Sequence, residues 1–330
     1  MNIENTGSIG AIGRPVYDSH NNRVKGFCAK LVTSIDDVHS FIDEARQIRD
    51  NQSATRITLR FVTQSNLTFN PLLLGDGRFE TSPIPLASDW SGCFVQYFGE
   101  NYKSRTESNK NVISEEDSIV SESLCSRHSD LSLQRQRRQK DYSIEIGLKD
   151  DRSDEDKRQL YELYNLVYTD YTFPLTEQSV RELVENPKSI TAIARDEYQN
   201  IVSVAIAEVA EIPIVISRNE SKLLRISELS DEATHPSHRG IGLNQACVAC
   251  LVRELLATYE NNIHLVFEED RAASRGVNQQ SANLGFRYMG RLNRHCRIKA
   301  YSNIEGIVGS YEDLNVWYYP INGDGIHVRR

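Results

Sequence analysis

Long apolar runs are absent from this sequence of 330 residues. A membrane-spanning helix needs about 18 or more consecutive apolar residues, and no such run occurs. The amino-terminal segment also lacks the basic region and apolar core that mark a secretory signal. We therefore expect a cytoplasmic protein without a membrane partner.

Cysteine is sparse and irregularly spaced. The six cysteines form no regular framework, which predicts reduced thiols. Cys247 and Cys250 make a C-x-x-C pair that would suit redox or metal chemistry, but no second Cys/His pair completes a zinc site. The pair falls on the apolar stripe of a predicted helix, with Leu243, Leu251 and Leu255. We favour core packing for both thiols, and we predict no metal.

An excess of positive charge is lacking as well. The formal net charge is −8, and 39% of the residues are hydrophobic while 25% are charged. This balance argues against general nucleic-acid binding and is compatible with cationic, amine-bearing substrates. The basic cluster at 135–140 stands beside an acidic tract, so we interpret it as a solvated segment and not as a nucleic-acid or membrane site.

The composition along the chain predicts two domains and a linker. Residues 1–101 read as a small α/β domain, in which a helix capped by Ser34 accompanies strands at Val24–Val32, Ile57–Val62 and Cys93–Phe98. No glycine turn precedes that helix, so we expect no cofactor there. Residues 102–140 are rich in Ser, Glu, Arg, Asn and Gln, which predicts a flexible polar linker. Residues 141–330 form the second predicted domain.

Apolar periodicity orders the elements of the second domain. A strand at Tyr142–Leu148 precedes a helix capped by Ser153, and the aromatic loop Tyr168–Pro174 leads to a helix capped by Thr176. A hairpin follows, and it feeds a strand with acidic residues that ends near Thr234. The expected order is therefore strand, two helices, antiparallel strands, then a further strand.

The chain is organised around Ser227–Leu255, where that strand meets a glycine turn and a long helix. Gly240 and Gly242 allow the backbone to adopt positive φ and to approach a ligand closely. The first N–H groups of the helix lack intrahelical partners and carry partial positive charge. A pyrophosphate fits this geometry. A plain strand-to-helix turn is the alternative, because such turns are common in α/β proteins.

These residues resemble the GNAT acetyltransferases, whose signature R-x-x-G-x-G/A follows the fourth strand and binds the pyrophosphate of acetyl-CoA. Arg239 to Leu243 match five positions, and Asn244 stands where Gly or Ala is usual. The resemblance implies an α/β (α+β) fold with a GNAT-like mixed twisted sheet flanked by helices, and acetyl-CoA as co-substrate. It also implies cofactor contacts from Ala233, Thr234, Arg239, Gly240, Ile241, Gly242, Leu243, Asn244 and Asn278.

Over about residues 142–320 the chain looks like the bacterial and archaeal β-lysine acetyltransferase family. In that family an aromatic loop, a Thr-Asp-x-Ala-Thr strand, an Ala-Arg-Ala-x-Ser-x-Gly-x-Asn turn and a Met-Asn-Val-Trp-Tyr strand occur in this order. This chain has similar segments in the same order, at 168–174, 230–234, 271–278 and 314–318, with departures at Pro174, Glu232 and Leu314. The resemblance implies N-acetyl transfer to a small amino-acid-like amine, β-lysine first, with polyamine, antibiotic or protein lysine as alternatives. Residues 1–101 share only the strand–helix–strand order, as in a degenerate GNAT-like half.

Catalysis needs the acceptor amine in its neutral form, because an ammonium has no lone pair. Asp231 matches the acidic residue of the family's Thr-Asp strand, and Glu228 precedes it on the same strand. Both are candidate bases, and a solvent-facing acidic edge is the alternative. Strict alternation puts them on opposite faces, whereas a bulge brings both toward the cleft. The candidate substrate contacts are Tyr171, Phe173 and Tyr288.

The proton donor for the leaving thiolate is not assigned. Many GNAT enzymes carry a tyrosine four residues before a Gly-Phe pair, and here that position is Ser281. Ser281 and Asn244 therefore support a second class, a non-catalytic acetyl-CoA-binding regulatory protein. For Tyr288 the alternatives are core packing, a wall of the substrate site and the general acid. For Asn278 they are a cofactor contact and a helix cap. No oligomeric state is predicted.

Overall fold

The computed structural model describes residues 11–64, 76–102, 105, 110–126, 141–148, 153–300 and 311–321. The basic cluster at 135–140 lies outside these ranges, as do parts of the predicted linker and of both chain ends. No helix within the described ranges is long and apolar enough to span a membrane.

Two helices and a set of antiparallel and parallel strands make up the described first half of the chain. The Ser34 side chain caps α1 by accepting a hydrogen bond from the Asp37 N–H, as its position before an acidic first turn predicts. The predicted strands are confirmed with longer bounds. The elements are β1 Val16–Asp18, β2 Arg23–Val32, α1 Ile35–Gln52, β3 Arg56–Gln64, β4 Arg78–Phe79, β5 Ile84–Pro85, β6 Cys93–Asn101 and α2 Lys110–Cys125.

The second half follows the predicted order of elements. Thr176 caps a helix through a capping box with Ser179, which confirms the start predicted from the sequence. The elements are β7 Ser143–Ile146, α3 Ser153–Val167, β8 Tyr168–Asp170, α4 Glu177–Glu185, β9 Ser189–Arg195, β10 Ile201–Ser217, β11 Glu220–Thr234, α5 Leu243–Tyr259, β12 Leu265–Arg271, α6 Arg275–Asn283, β13 Arg287–Cys296, β14 Lys299–Ala300 and β15 Glu312–Tyr319.

One mixed sheet runs through both halves. Its strand order is β13-β15-β12-β11-β10-β2-β3-β6-β4. β10 and β11 form a long antiparallel hairpin, while β11 and β12 run parallel. Helices α3 and α4 cover one face with a cluster around Leu160 and Val180, and α5 covers the other with Cys247 and Leu251. The predicted mixed sheet flanked by helices is confirmed, and both cysteines of the C-x-x-C pair lie on α5.

The two ends of this sheet meet, so the strands form a ring. Gly290 on β13 makes an antiparallel bridge to Thr81, and Ser82 N donates to Met289 O at 2.7 Å. Gly290 has φ +149°, and a Cβ there would lie 2.3 Å from Glu80 O. Only glycine permits this close approach of two backbones. The ring encloses an apolar core that includes Phe27, Val62, Tyr97, Ile212, Phe267 and Leu292.

Helix α2 lies inside the segment that the sequence predicts as a flexible linker. Ile119 and Val120 on this helix are buried, and α2 packs against α6, where Arg275 pairs with Glu122. The polar composition of 102–140 as a whole hides this short apolar stripe. That part of the segment is therefore a packed helix, while the domain boundaries themselves stay a prediction.

Candidate active site

A cavity opens where β11 and β12 separate. Their parallel pairing ends at Leu229 and Glu268, but β11 continues to Thr234 and β12 to Arg271. The cavity has a volume of about 520 Å³ and is lined by both strand ends and by the first turns of α5 and α6. Ligands of open sheets commonly bind at the carboxyl ends of parallel strands.

The glycine turn predicted as a phosphate cradle forms the mouth of this cavity. Gly240 and Gly242 have φ of +80° and +82°, and Gly242 is the N-cap of α5. The amino terminus of α5 therefore presents its first amides at the cavity. Arg239 and Arg271 also line it, and Glu312 holds Arg271 through two contacts of 2.7 Å. Helix dipole and guanidinium charge together suit a pyrophosphate.

Most predicted cofactor residues line the cavity. They are Ala233, Thr234, Arg239, Gly240, Gly242, Leu243 and Asn244. Ile241 instead packs against the α5 side of the core. The Asn244 side chain donates to Val204 O at 2.8 Å, beside the register shift between β10 and β11. An amide at this position supports the irregular strand, which a Gly or Ala side chain cannot do.

Asn278 is placed differently from the predicted cofactor contact. It is fully buried, and its Nδ2 donates to Arg271 O and Ser274 O at 2.9 and 2.8 Å. Its Oδ1 accepts from Asn315 and Trp317 at 2.7 and 3.1 Å. Because these bonds occupy the whole amide, Asn278 braces the turn before α6 and does not reach the cavity.

A β-bulge positions Asp231, the predicted base. The pairing shifts between Val204 and Ile206, so Asp231 and Glu232 together oppose Ala205, and Asp231 has φ +51°. Asp231 Oδ1 accepts from the Tyr171 hydroxyl at 2.7 Å, and Oδ2 accepts from Ser230 at 3.1 Å. Burial raises the pKa of Asp231, against the lowering effect of these two hydrogen bonds.

Glu228, the second candidate base, lies inside the strand ring. Its carboxylate is 3.8 Å from Arg60 of β3, which also pairs with Glu269. Glu228 and Asp231 are 4% and 6% exposed, so the alternative of a solvent-facing acidic edge is wrong. The bulge places Asp231 next to Glu232, which lines the cavity, but Asp231 itself is not a lining residue and its carboxylate faces Tyr171. Glu228 lies in an ion-pair cluster between the two halves.

Tyrosine rings surround Asp231 on the side of the loop after α3. Tyr164 donates its hydroxyl to Asp231 O at 2.7 Å, and the Tyr168 hydroxyl donates to Glu232 O. The Tyr168 and Tyr171 rings are 4.5 Å apart, and Tyr168 lines the cavity. Phe173 lies edge-on to Tyr171 at 5.1 Å. Two of the predicted substrate contacts, Tyr171 and Phe173, are thus together.

Tyr288, the third predicted substrate contact, lies elsewhere. Its ring sits 5.4 Å from that of Trp317 and packs against the core on the α5 side of the sheet. Tyr171 belongs to the core inside the strand ring, on the other side. Of the three alternatives for Tyr288, the structure favours core packing.

Sequence reasoning missed an acidic group beside the cavity. Glu232, noted only as a departure from the family pattern, lines the cavity, and one carboxyl oxygen each of Glu232, Glu268 and Asp270 lie within 4.8 Å of one another. Burial, then the charge of Asp270, raises the pKa of Glu232 to about 8, and burial raises that of Asp270 to about 7. The sequence did contain a signal for this group: Glu268 and Asp270 are two residues apart on a strand beside the cradle, so both side chains lie on the same face. The absence of a metal stays a prediction.

The chain is similar in sequence to N-acetyltransferases. No family model matches it. It is similar to the N-acetyltransferase YodP of Bacillus subtilis, with 29% identity over 162 residues, 49% of this chain and 50% of that protein. It is also similar to the beta-lysine N(6)-acetyltransferase of Methanosarcina mazei, with 27% identity over 120 residues, 36% of this chain and 40% of that protein. The chain therefore spans half or less of these curated relatives.

Two solved structures align with somewhat more than half of the chain at lower identity. Arabidopsis thaliana NAA60 in complex with acetyl-CoA gives a TM-score of 0.42 with 12% identity, covering 55% of this chain and 99% of that one. The ribosomal-protein-S18-alanine N-acetyltransferase from Escherichia coli gives 0.40 with 15% identity, covering 57% and 99%. The sequence relatives confirm the resemblance to GNAT N-acetyltransferases, with a β-lysine acetyltransferase among them.

Proposed function

We propose that the protein is an acetyl-CoA-dependent N-acetyltransferase acting on a primary amine of a small, amino-acid-like substrate. One observation carries the proposal: β11 holds the bulged carboxylate Asp231 and then runs directly into the glycine turn and the amino terminus of α5. A base and an anion cradle on one strand suit transfer of an acyl group from a nucleotide thioester to an amine.

Acetyl-CoA supplies the activated acetyl group when it is bound. The amides at the start of α5, with Gly240 and Gly242, would hold its pyrophosphate, and Arg239 adds charge at the cavity mouth. Ala233 and Thr234 line the inner wall, where a backbone N–H would polarise the thioester carbonyl.

The surroundings of Asp231 suit an ammonium. Aromatic faces attract cations, and Tyr168 and Tyr171 flank a buried carboxylate here. Asp231 would orient the ammonium and take its proton, and its raised pKa makes it a stronger base. β-Lysine is the acceptor that we favour, because one sequence relative is a beta-lysine N(6)-acetyltransferase. A cytoplasmic location, with no nucleic-acid or membrane partner, belongs to the same proposal.

The cradle is tested by calorimetry with acetyl-CoA. Arg239→Ala combined with Gly240→Val should weaken binding on the order of 100-fold, because a charge-assisted contact is lost and valine strains a backbone at positive φ. Arg253→Ala, at an exposed arginine on α5, is the matched control and should bind as the wild type does. Unchanged affinity in the folded double variant would remove the central claim.

The acceptor is tested by thiol release with β-lysine, lysine, polyamines, aminoglycosides and a lysine peptide. We expect β-lysine to give the highest kcat/KM. A better rate with another amine would transfer the proposal to that acceptor. Binding of acetyl-CoA without turnover on any amine would favour the non-catalytic binding protein. Asn244 donates to the backbone of β10, and Ser281 donates to a buried carboxyl group. These structural contacts account for both residue types, so their presence does not by itself favour the non-catalytic class.

A further inference from the structure

Three carboxyl groups and one hydroxyl meet where β11 and β12 separate. Glu232 lies on β11, Glu268 and Asp270 on β12, and Ser281 on α6. Ser281 Oγ is 2.7 Å from Glu268 Oε2 and 2.5 Å from Asp270 Oδ2. Neither the pyrophosphate cradle nor the amine base uses this acid cluster.

The geometry around Ser281 requires a carboxyl proton. A serine hydroxyl has a single proton and donates one hydrogen bond. Ser281 Oγ has three nearby acceptors, the two carboxyl oxygens and Val277 O at 3.0 Å, and it serves one of them, so at least one carboxyl group must be protonated and donate to Ser281 Oγ. Two ionised carboxylates buried at this spacing would also repel each other strongly. The acid cluster thus stores at least one proton out of contact with bulk water.

Glu232 connects this store to the cavity. Its side chain lines the cavity beside Tyr168, and Gln280 Nε2 donates to Glu232 Oε2 at 2.8 Å. Ala233, the next residue, lines the wall where we place the acyl group. Behind it, Glu268 is fully buried, and its Oε1 has no hydrogen-bond partner in the described part of the chain. That oxygen is available to accept a proton from within the cluster.

We propose that Glu232 is the general acid of the acetyl transfer and protonates the sulfur of the departing coenzyme A. This inference rests on the proposed function. Glu232 gives its carboxyl proton to sulfur as the acceptor nitrogen forms the C–N bond and the C–S electron pair moves to sulfur. Glu232 then regains a proton from the buried Glu268 and Asp270 pair, and the pair recovers its proton from solvent through Glu232 after coenzyme A leaves the cavity. The proton that the amine loses to Asp231 and then to solvent balances the proton that sulfur gains.

The acidity of Glu232 matches this task. Burial, then the charge of Asp270, raises its pKa to about 8, close to the ~8.5 of an unperturbed thiol, and such a match favours proton transfer. Charged groups face it from both strands: Asp231 on β11, Glu268 and Asp270 on β12, and Arg271 across the cavity. Ser281 stands at the position of the usual tyrosine, and here it holds the acid cluster together.

The test compares wild type with Glu232→Gln in the full chain. We expect acetyl-CoA affinity within about twofold of wild type and a kcat lower by on the order of 10²–10⁴. Infrared spectroscopy gives a second readout that needs no turnover. Coenzyme A should shift the carbonyl stretch of a protonated carboxyl group in wild type, desulfo-coenzyme A should not, and Glu232→Gln should lack the shift. Glu197→Gln, at an exposed glutamate, is the matched control and should behave as wild type.

Asp270→Asn is the second variant and carries the test if Glu232→Gln does not fold. Removing the Asp270 charge lowers the pKa of Glu232, so the fall of kcat at high pH should move to lower pH. Wild-type turnover by Glu232→Gln, or an unmoved profile in Asp270→Asn, would overturn the general acid. Saturable Mg²⁺ or Mn²⁺ binding that Glu232→Gln abolishes would do the same, because metal ligation needs ionised carboxylates. A wild-type protein that does not bind acetyl-CoA overturns the proposed function first.

Discussion

At the scale of residues, local geometry decided which predictions succeed. The sequence correctly predicts the positive φ of Gly240 and Gly242 and the helix cap by Thr176. These roles depend only on the backbone next to each residue. Asn278 and Tyr288 have surroundings set by β15, which lies far along the chain. Asparagine and tyrosine occur both in binding sites and in cores. Only the fold therefore decides which role Asn278 and Tyr288 have.

Asp231→Asn is the residue-scale prediction for the base. Asparagine tolerates the left-handed backbone that Asp231 adopts at φ +51°, so the bulge and the acetyl-CoA affinity should survive. Turnover should fall on the order of 10²–10⁴-fold because the charge that accepts the amine proton is gone. Raising the pH should partly restore the rate, since more of the amine is then already neutral. Thiol release measured against pH checks this, and a wild-type rate in the variant would give Asp231 a structural role.

At the scale of elements, the caps and apolar periodicities predicted most strands and helices of the described chain, whereas three features lay beyond them. The stripe of α2 is short within a polar segment, the choice between strict alternation and a bulge in β11 depends on the partner strand, and the bridge between Thr81 and Gly290 joins residues far apart. Each is decided by packing against a distant element, which a single sequence window does not contain.

Gly290→Ala tests the seam of the strand ring. An alanine Cβ would lie 2.3 Å from Glu80 O, at a φ of +149° that L residues rarely adopt. We expect a loss of about 2–4 kcal/mol in the free energy of unfolding, measured by urea denaturation. Gly276→Ala is the control, because its Cβ would meet nothing within 4 Å. Equal stability of the two variants would mean that the seam contributes little.

At the scale of the whole molecule, buried charges join the two halves. Arg60 of β3 meets Glu228 and Glu269 of the second half, Arg56 pairs with Glu80 and donates to Asn293 O, and Arg23 contacts His295. Removing one partner from such a buried pair leaves an uncompensated charge, which is strongly destabilising. Each half therefore depends on the other for the neutralisation of its interior.

The pH dependence of stability follows from buried acids. Glu232, Asp270 and Glu116 have pKa values raised to about 8, 7 and 8, in each case with burial as the largest cause. Between their unfolded pKa values near 4 and these values, the native state binds more protons than the unfolded state, so stability falls as pH rises. We expect the free energy of unfolding in urea to fall between pH 6 and pH 9, by up to about 1.4 kcal/mol per pH unit for each group until its native pKa is passed. Glu232→Gln should reduce this drop, and an unchanged slope would contradict the assignment.

The ring of strands also has a consequence for biosynthesis. Thr81 emerges from the ribosome 209 residues before Gly290, its partner at the seam. At translation rates of about 5–20 residues per second, the β4–β6 edge waits about 10–40 s for β13, with Arg56 and Arg60 still short of partners from the second half. Non-local closure of this kind also slows folding and leaves edges open to aggregation. The nascent chain, more than the finished protein, is then the form that needs protection by chaperones.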